Sequence, residues 1–315
     1  MPASQKIAAK RKKKTFYQLE TLPLHHMSLP VLVYLLIFCY TPMIGLVMAF
    51  QDLNISKGVF SSPFVGLKNF EFLFSSSDAW IITRNTVCYN LVFIVVNMSL
   101  AVILSLMLNE LRSALYAKTL QTVFMMPYCL SITVVAIIVN AFLSRNYGLV
   151  NQVIRSMGGA GKTNWYMKRE FWPPFLVFVN AWKGVGYSTV LYLAVISGIS
   201  DEYYEAAVLD GANRFQQAYY ITLPHLRFVI SISLIMAMGG IFRGDFGLFY
   251  TVTNNSGKLY PVTDVIDTYI YRGLMTMNNV GMSTAAGLYQ SLVGFVLVLL
   301  CNAVVRKIDP DTSMF

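Results

Sequence analysis

Glu205-Ala206-Ala207-Val208-Leu209-Asp210-Gly211 is followed, after nine residues, by Ile221-Thr222-Leu223-Pro224. This polar, acid-led stretch lies between two apolar runs, Phe175 to Ile199 and Leu226 to Phe242, each within the length range for crossing a bilayer. Such a segment has to be displayed on one membrane face, where a shaped helix passes force to something outside the bilayer. Ser200 and Asp201 supply an N-cap, and Glu202 adds charge at the positive end of a helix running through Leu209. Gly211 tolerates positive φ and ends that helix, Asn213 caps a second from Arg214 to Tyr220, and Pro224 is expected to stop or bend the chain. Ala206 and Ala207 give a flat face for close packing beside the hydrogen-bonding acid Glu205.

The composition places this loop in a membrane protein. Of 315 residues, 56% are hydrophobic and 12% charged, too apolar for an ordinary soluble domain. The net charge of +9 comes from no basic soluble module, which argues against a nucleic-acid partner; Arg11 to Lys14 instead read as a cytoplasmic anchor on anionic lipid. Six apolar segments predict an all-α integral membrane protein with six transmembrane helices: Leu29 to Phe50, Val87 to Leu108, Leu120 to Leu143, Phe175 to Ile199, Leu226 to Phe242 and Ala285 to Val305. The first is too long for a signal-peptide core and is expected to be retained. An even number of spans puts both termini on one side, cytoplasmic by the Arg11 to Lys14 cluster, with the Glu205 loop also inside. The 24 Lys and Arg nevertheless divide about evenly, because Arg145, Arg155, Lys162, Lys168 and Arg169 crowd an outer loop. The expected organisation is a basic cytoplasmic tail over residues 1–28, a transmembrane domain over 29–305 with the displayed loop at 200–224, and a cytoplasmic tail over 306–315. The outer loops, about 51–86, 144–174 and 243–284, carry prolines and aromatics suited to ordered caps. Cys39, Cys88, Cys129 and Cys301 lie within apolar runs at no metal-ligand spacing and read as buried small hydrophobes.

No catalytic set is present, and no metal site. Ser156-Met157-Gly158-Gly159-Ala160-Gly161-Lys162-Thr163 ends like a phosphate-binding loop, but Ser156 stands where the first glycine belongs and no β-rich run precedes it. Polar groups inside the spans carry more information. Lys183 at membrane depth costs a few kcal/mol unless it faces water or a partner, and Asn97, Asn140, Asn180, Trp182, Tyr187 and Arg243 are candidates to line the same pathway, with Asp245 as a partner for Arg243. The competing reading is that Lys183 and Arg243 snorkel to the interface while the asparagines join helices. The cations toward the outer side raise the further expectation of an acidic substrate.

The spacing of Glu205, Ala206, Ala207, Gly211, Ile221, Leu223 and Pro224 resembles the signature loop of membrane subunits of bacterial binding-protein-dependent ABC importers. Trp182-Lys183-Gly184-Val185-Gly186-Tyr187 is similar to the carbohydrate branch related to the maltose permease. Leu259 to Tyr269, Gly287 to Ser291 and the ending Arg306 to Asp311 resemble the LplB and YteP group, permeases for oligosaccharides and polysaccharide fragments, including pectin-derived and alginate fragments. The resemblance implies an importer subunit of the bacterial plasma membrane that is not itself an enzyme. It also implies its partners: a second homologous permease forming a heterodimer, two ATP-binding subunits that carry ATP and Mg, an extracytoplasmic solute-binding protein, and an oligosaccharide substrate. This chain would hold no cofactor. Two other classes are a secondary active transporter, which usually shows internal repeats and coupling-ion carboxylates within its spans, and a membrane-embedded glycan enzyme using Asp264 and Asp267 as paired acids.

Overall fold

The computed structural model describes residues 27–54, 58–71, 77–111 and 113–308, so the basic tail through Lys14 and the end after Ile308 lie outside the described residues. The described residues are helical, apart from loops and an isolated antiparallel bridge between Gln51 and Phe64. The chain divides into two units, Met1–Asn69 and Phe70–Phe315.

In the first unit, α1 (Met27–Phe50) is an apolar helix with almost every side chain outward-facing. It is wide-turned over Leu35–Tyr40 and tight over Thr41–Phe50, where Pro42 removes a backbone donor. Asn69 donates to the carbonyls of Ala49 at 3.0 Å and Gln51 at 2.8 Å, closing a loop over the helix end.

The second unit is built on α2 (Ser77–Asn109) packed along α6 (Trp172–Ile196). Tyr89 and Phe93 of α2 meet Trp172, Leu176 and Val179 of α6 in the main buried cluster. Ala101, Tyr192, Ile196 and Leu226 form another toward the opposite end. Helices in lipid gain little from the hydrophobic effect, so small residues and polar bridges hold them. Gly186 shows the first: a Cβ there would sit 2.0 Å from the Phe124 carbonyl oxygen. Asn90 shows the second, donating to the carbonyls of Ile241 at 2.9 Å and Arg243 at 3.0 Å.

Among the described residues, four helices are long and apolar enough to cross a membrane: α1, α2, α8 (Arg214–Gly239) and the stretch Val280–Ala303 of α10 (Val280–Ile308). The expected straight third span is not observed. Ala114–Cys129 (α3) and Ile132–Leu143 (α4) meet at 94°. Pro127 lacks the N–H that would continue the ladder, Leu130 is extended, and the Ser131 hydroxyl caps α4 by accepting from Val134 N–H. α6, at 25 residues about 37 Å long by helical rise, has the length of a span. Its Asn180 and Lys183 dilute its apolar character. The fifth expected segment is also longer than the apolar run, since its helix begins at Arg214 rather than at Leu226.

Beyond these lie α5 (Leu149–Ser156), α7 (Asp201–Leu209) and α9 (Ile266–Met275). Cys39, Cys88 and Cys129 are exposed on helix surfaces and Cys301 is half-buried, which corrects the expectation of burial. In a bilayer the apolar outside of a bundle meets hydrocarbon, so apolar sequence context does not mean a protein core.

Candidate functional site: a surface helix welded to a membrane helix

α7 starts at Ser200, whose hydroxyl accepts from Glu202 N–H at 3.4 Å, and acids at Asp201 and Glu202 complement its dipole. Its other end is a Schellman motif: Ala212 N–H donates to Ala207 O at 2.8 Å and Gly211 N–H to Val208 O at 3.0 Å. The motif needs a left-handed residue, and Gly211 provides it at φ 81°. Asn213 and Gln216 then form a reciprocal capping box, each side chain satisfying the other's backbone N–H at 2.8 and 2.9 Å.

The second half of the stretch departs from expectation. Arg214 begins no separate short helix, and Pro224 does not end one; Arg214–Gly239 runs on as a single helix. The helix widens at Ala218–Thr222, where Leu223 N–H bonds Ala218 O five residues back. That extra residue per turn accommodates Pro224, which has no N–H to give and would crowd a regular turn. The Tyr204 and Thr222 hydroxyls share a hydrogen bond of 2.9 Å, tying α7 to this wide turn. Gln217, buried in the elbow, donates to Ala212 O at 3.0 Å. Arg214 lies 3.6 Å from Glu110 at the end of α2.

Glu205 and Ala206 are exposed on α7, with Ala207 half-buried; Ile221 and Leu223 are half-buried and Pro224 exposed. Around them Val208, Leu209, Phe215, Tyr219 and Tyr220 also face outward, with Leu209 at 88%. An exposed apolar patch of this kind marks an interaction surface. Sequence reading had the acid and the alanines but not these side chains or the Tyr204–Thr222 link, because exposure of a Leu or Phe depends on which way a turn points.

The pathway candidates do not form one group. Asn97 donates to Asn180 Oδ1 at 2.7 Å, joining α2 to α6. Lys183 Nζ donates to the Tyr128 carbonyl at 3.1 Å and lies 5.5 Å from that ring, which stacks on Tyr187 at 4.9 Å. A cation thus meets the carbonyl end of α3 at the 94° break, where the helix dipole is negative. Trp182 lines two apolar cavities. Asn140 is exposed on α4. Arg243 is exposed and does not pair with Asp245, whose carboxylate instead accepts from Leu248 N–H at 3.0 Å. Tyr128, not singled out from the sequence, is the residue that gathers Lys183 and Tyr187.

Asp264 and Asp267 serve separate structural roles. Asp264 is ion-paired with Arg272, which stacks over Tyr260 at 4.1 Å, and accepts from the Thr268 hydroxyl at 2.6 Å. Asp267 accepts from Gly244 N–H and from Gln290 at 2.9 Å; burial pushes its carboxyl above the ordinary carboxylate range. Asp264 and Asp267, already engaged separately, make a poor pair of glycosidase acids. In the Ser156 to Thr163 loop, Gly161 closes onto Asn151, which donates to Thr163 O at 2.9 Å, so the loop wraps α5 rather than forming an open phosphate cradle.

A membrane helix is thus tied, through the Gly211 turn and the Tyr204–Thr222 bond, to an exposed, doubly capped surface helix. The chain belongs to the family described as binding-protein-dependent transport system inner membrane component, whose model matches residues 101–310. It is therefore a multi-pass membrane component of a transport system rather than an enzyme, and the secondary-transporter alternative falls away. The chain is 34% identical over 302 residues to the polygalacturonan/rhamnogalacturonan transport system permease protein YteP of Bacillus subtilis (strain 168), covering 96% of this chain and 93% of that one. It is 34% identical over 288 residues to Protein LplB of the same organism, covering 91% and 90%. In structure it is similar to a chain of a bacterial ABC transporter involved in the import of the acidic polysaccharide alginate, with a TM-score of 0.84, 33% identity, and coverage of 95% and 99%. A second crystal structure, of bacterial alginate ABC transporter with an alginate pentasaccharide-bound periplasmic protein, matches with a TM-score of 0.82 at 32% identity.

Proposed function

We propose that this chain is one membrane-spanning half of an ATP-driven importer for oligosaccharides or polysaccharide fragments, with both termini cytoplasmic. It pairs with a second, homologous permease; two ATP-binding subunits grip the Glu205 to Pro224 stretch; and an extracytoplasmic binding protein delivers glycan to the outer mouth. The observation that carries this reading is the weld between α7 and α8. Tyr204 to Thr222, Gln217 to Ala212 and the unbroken Arg214–Gly239 helix turn any displacement of α7 into a displacement of a membrane helix. Glu205, Ala206, Ala207 and Gly211 present and shape the contact; Ile221, Leu223 and Pro224 form the elbow. ATP and Mg act on the partner subunits.

Asn97, Asn140, Asn180, Trp182, Lys183, Tyr187 and Arg243 remain the pathway residues of this reading, and the glycan is acidic. Arg145, Arg155 and Lys162 are exposed, with no carboxylate partner among the described residues, so they are free to attract a polyanion; Arg243, also exposed, acts on the Asp267 carboxylate. The likeness to relatives whose names specify polygalacturonan and alginate supports the same charge.

Cross-linking tests the coupling contact. In the assembled complex with native cysteines replaced, Ala206→Cys carrying a benzophenone maleimide is expected to cross-link to the ATP-binding subunit on illumination. Cross-linking to the solute-binding protein instead would overturn both the contact and the orientation.

A further inference from the structure

α8 ends at Gly239, and the chain leaves it through a turn over residues 240–244, at the opposite end from the Tyr204–Thr222 weld. Carbonyls past a helix end have no partner within the helix, and in a membrane bundle each must find one inside the protein. Three side chains from three other helices meet this need. Asn90 of α2 donates to Ile241 O at 2.9 Å and to Arg243 O at 3.0 Å. Gln290 of α10 donates to Phe242 O at 2.6 Å. Asp267 of α9 accepts from Gly244 N–H, and Gln290 also donates to that same carboxylate oxygen at 2.9 Å.

The clasp grips the backbone of the turn. Ile241 and Phe242 are buried, so their side chains form its inner face. A Cβ at position 244 would lie 2.6 Å from Val265 Cγ2 and 3.0 Å from the Asp267 carboxylate, so only glycine lets the backbone reach the acid. What the turn leaves outward is Arg243. Its side chain is exposed, its N–H donates to Gly240 O at 2.8 Å, and its charge acts on Asp267 although the two form no ion pair. Three consecutive carbonyls and the next N–H, all held by side chains, give one exposed guanidinium a fixed base. A cation so mounted loses less freedom on meeting an anion than one on a free loop.

We propose that Asn90, Asp267 and Gln290 are positioning residues for Arg243: by holding the 241–244 backbone they fix where the guanidinium stands on the pathway, and it selects glycans that carry carboxylates. A guanidinium meets a carboxylate through two parallel N–H donors, so its placement, as well as its charge, decides how well a uronate is told from a neutral sugar. The proposal rests on this chain being a permease for acidic glycans with Arg243 on the pathway. None of the three clasp side chains touches the sugar; they act through Arg243.

The test is uptake by the reconstituted transporter of uronate oligosaccharides and of neutral ones of equal length, each delivered by the same binding protein at saturation. The preference of the binding protein is then common to every variant and cancels against wild type. Arg243→Gln is expected to lower the preference for uronate, taken as the ratio of uptake kcat/KM values, about tenfold. Gln290→Met and Asn90→Leu, which keep bulk and remove the donors, should each lower it severalfold while neutral uptake and assembly with the ATP-binding subunit are retained. Asp267→Asn keeps an acceptor oxygen for Gly244 and should preserve most of the preference. In an Arg243→Gln background, neither Gln290→Met nor Asn90→Leu should change the ratio further, because both act through residue 243. A preference that falls in Arg243→Gln but persists in both Gln290→Met and Asn90→Leu overturns the positioning role and leaves the acidic-glycan pathway standing. Parallel loss of both substrates in the clasp variants overturns it as well, since that marks a structural role only. A wild-type ratio near one, or a ratio indifferent to Arg243→Gln, overturns the proposal together with the acidic substrate on which it rests.

Discussion

Tyr204 and Thr222, eighteen residues apart, share a hydroxyl-to-hydroxyl hydrogen bond of 2.9 Å that joins the surface helix α7 to the wide turn opening α8. The bond closes a small rigid body whose other struts are the Schellman turn at Gly211 and the buried Gln217. A lever transmits displacement only if its joint does not flex, so this contact lies on the route from surface to membrane.

Removing it should loosen the lever without dissolving it. A neutral hydrogen bond is worth about 1 kcal/mol net. Tyr204→Phe and Thr222→Val are therefore expected to leave the complex assembled while lowering transport per ATP severalfold, read as uptake against phosphate release in proteoliposomes. The double variant should be little worse than either single one, because both remove one bond.

Gly211 permits a backbone conformation rather than filling a space: a Cβ meets nothing within 4 Å, yet φ is 81°. Gly211→Val should cost about 1–2 kcal/mol or more of local strain and displace α7, while Gly211→Asn, which tolerates the left-handed region, should cost much less. Co-purification of the ATP-binding subunit with each variant checks this, with Val losing it and Asn keeping it.

The Asp264–Arg272 pair is nearly buried, with side chains 8% and 13% exposed. Breaking a buried pair from one side costs about 3–5 kcal/mol, because the remaining charge is left unpaired. Arg272→Met should accordingly lower the thermal unfolding midpoint of the purified complex by several degrees, and adding Asp264→Asn should recover part of the loss.

Lys183 meets the carbonyl end of α3 at the break. Lys183→Met is expected to reduce uptake of uronate oligosaccharides more than of neutral ones of equal length, and Lys183→Arg to retain it. Equal losses for both substrates would assign the residue to holding the break alone.

Most of α7 and its caps is legible in the sequence. Ser200, Gly211 and Asn213 are local signals, and each does in the structure what its chemistry dictates. Other features depend on nonlocal geometry. Pro224 by its chemistry stops or bends a chain, but one residue of π-widening, invisible in composition, lets α8 pass through it. Leu120 to Leu143 read as one apolar run, yet Pro127 and the Ser131 cap divide it sharply. The polar residues of the spans were found by type; that Lys183 and Tyr187 converge on Tyr128 while Asn97 turns to Asn180 depends on helix rotation, which no single sequence specifies.

The central claim is that α7 passes the work of ATP hydrolysis to α8. The direct measurement is ATPase stimulation of the reconstituted transporter by glycan-loaded binding protein, with wild-type chain, Glu205→Lys and Gly211→Val compared at equal assembly. Stimulation in the wild type and its loss in both variants is the predicted result. Undiminished stimulation in correctly assembled variants would contradict the account.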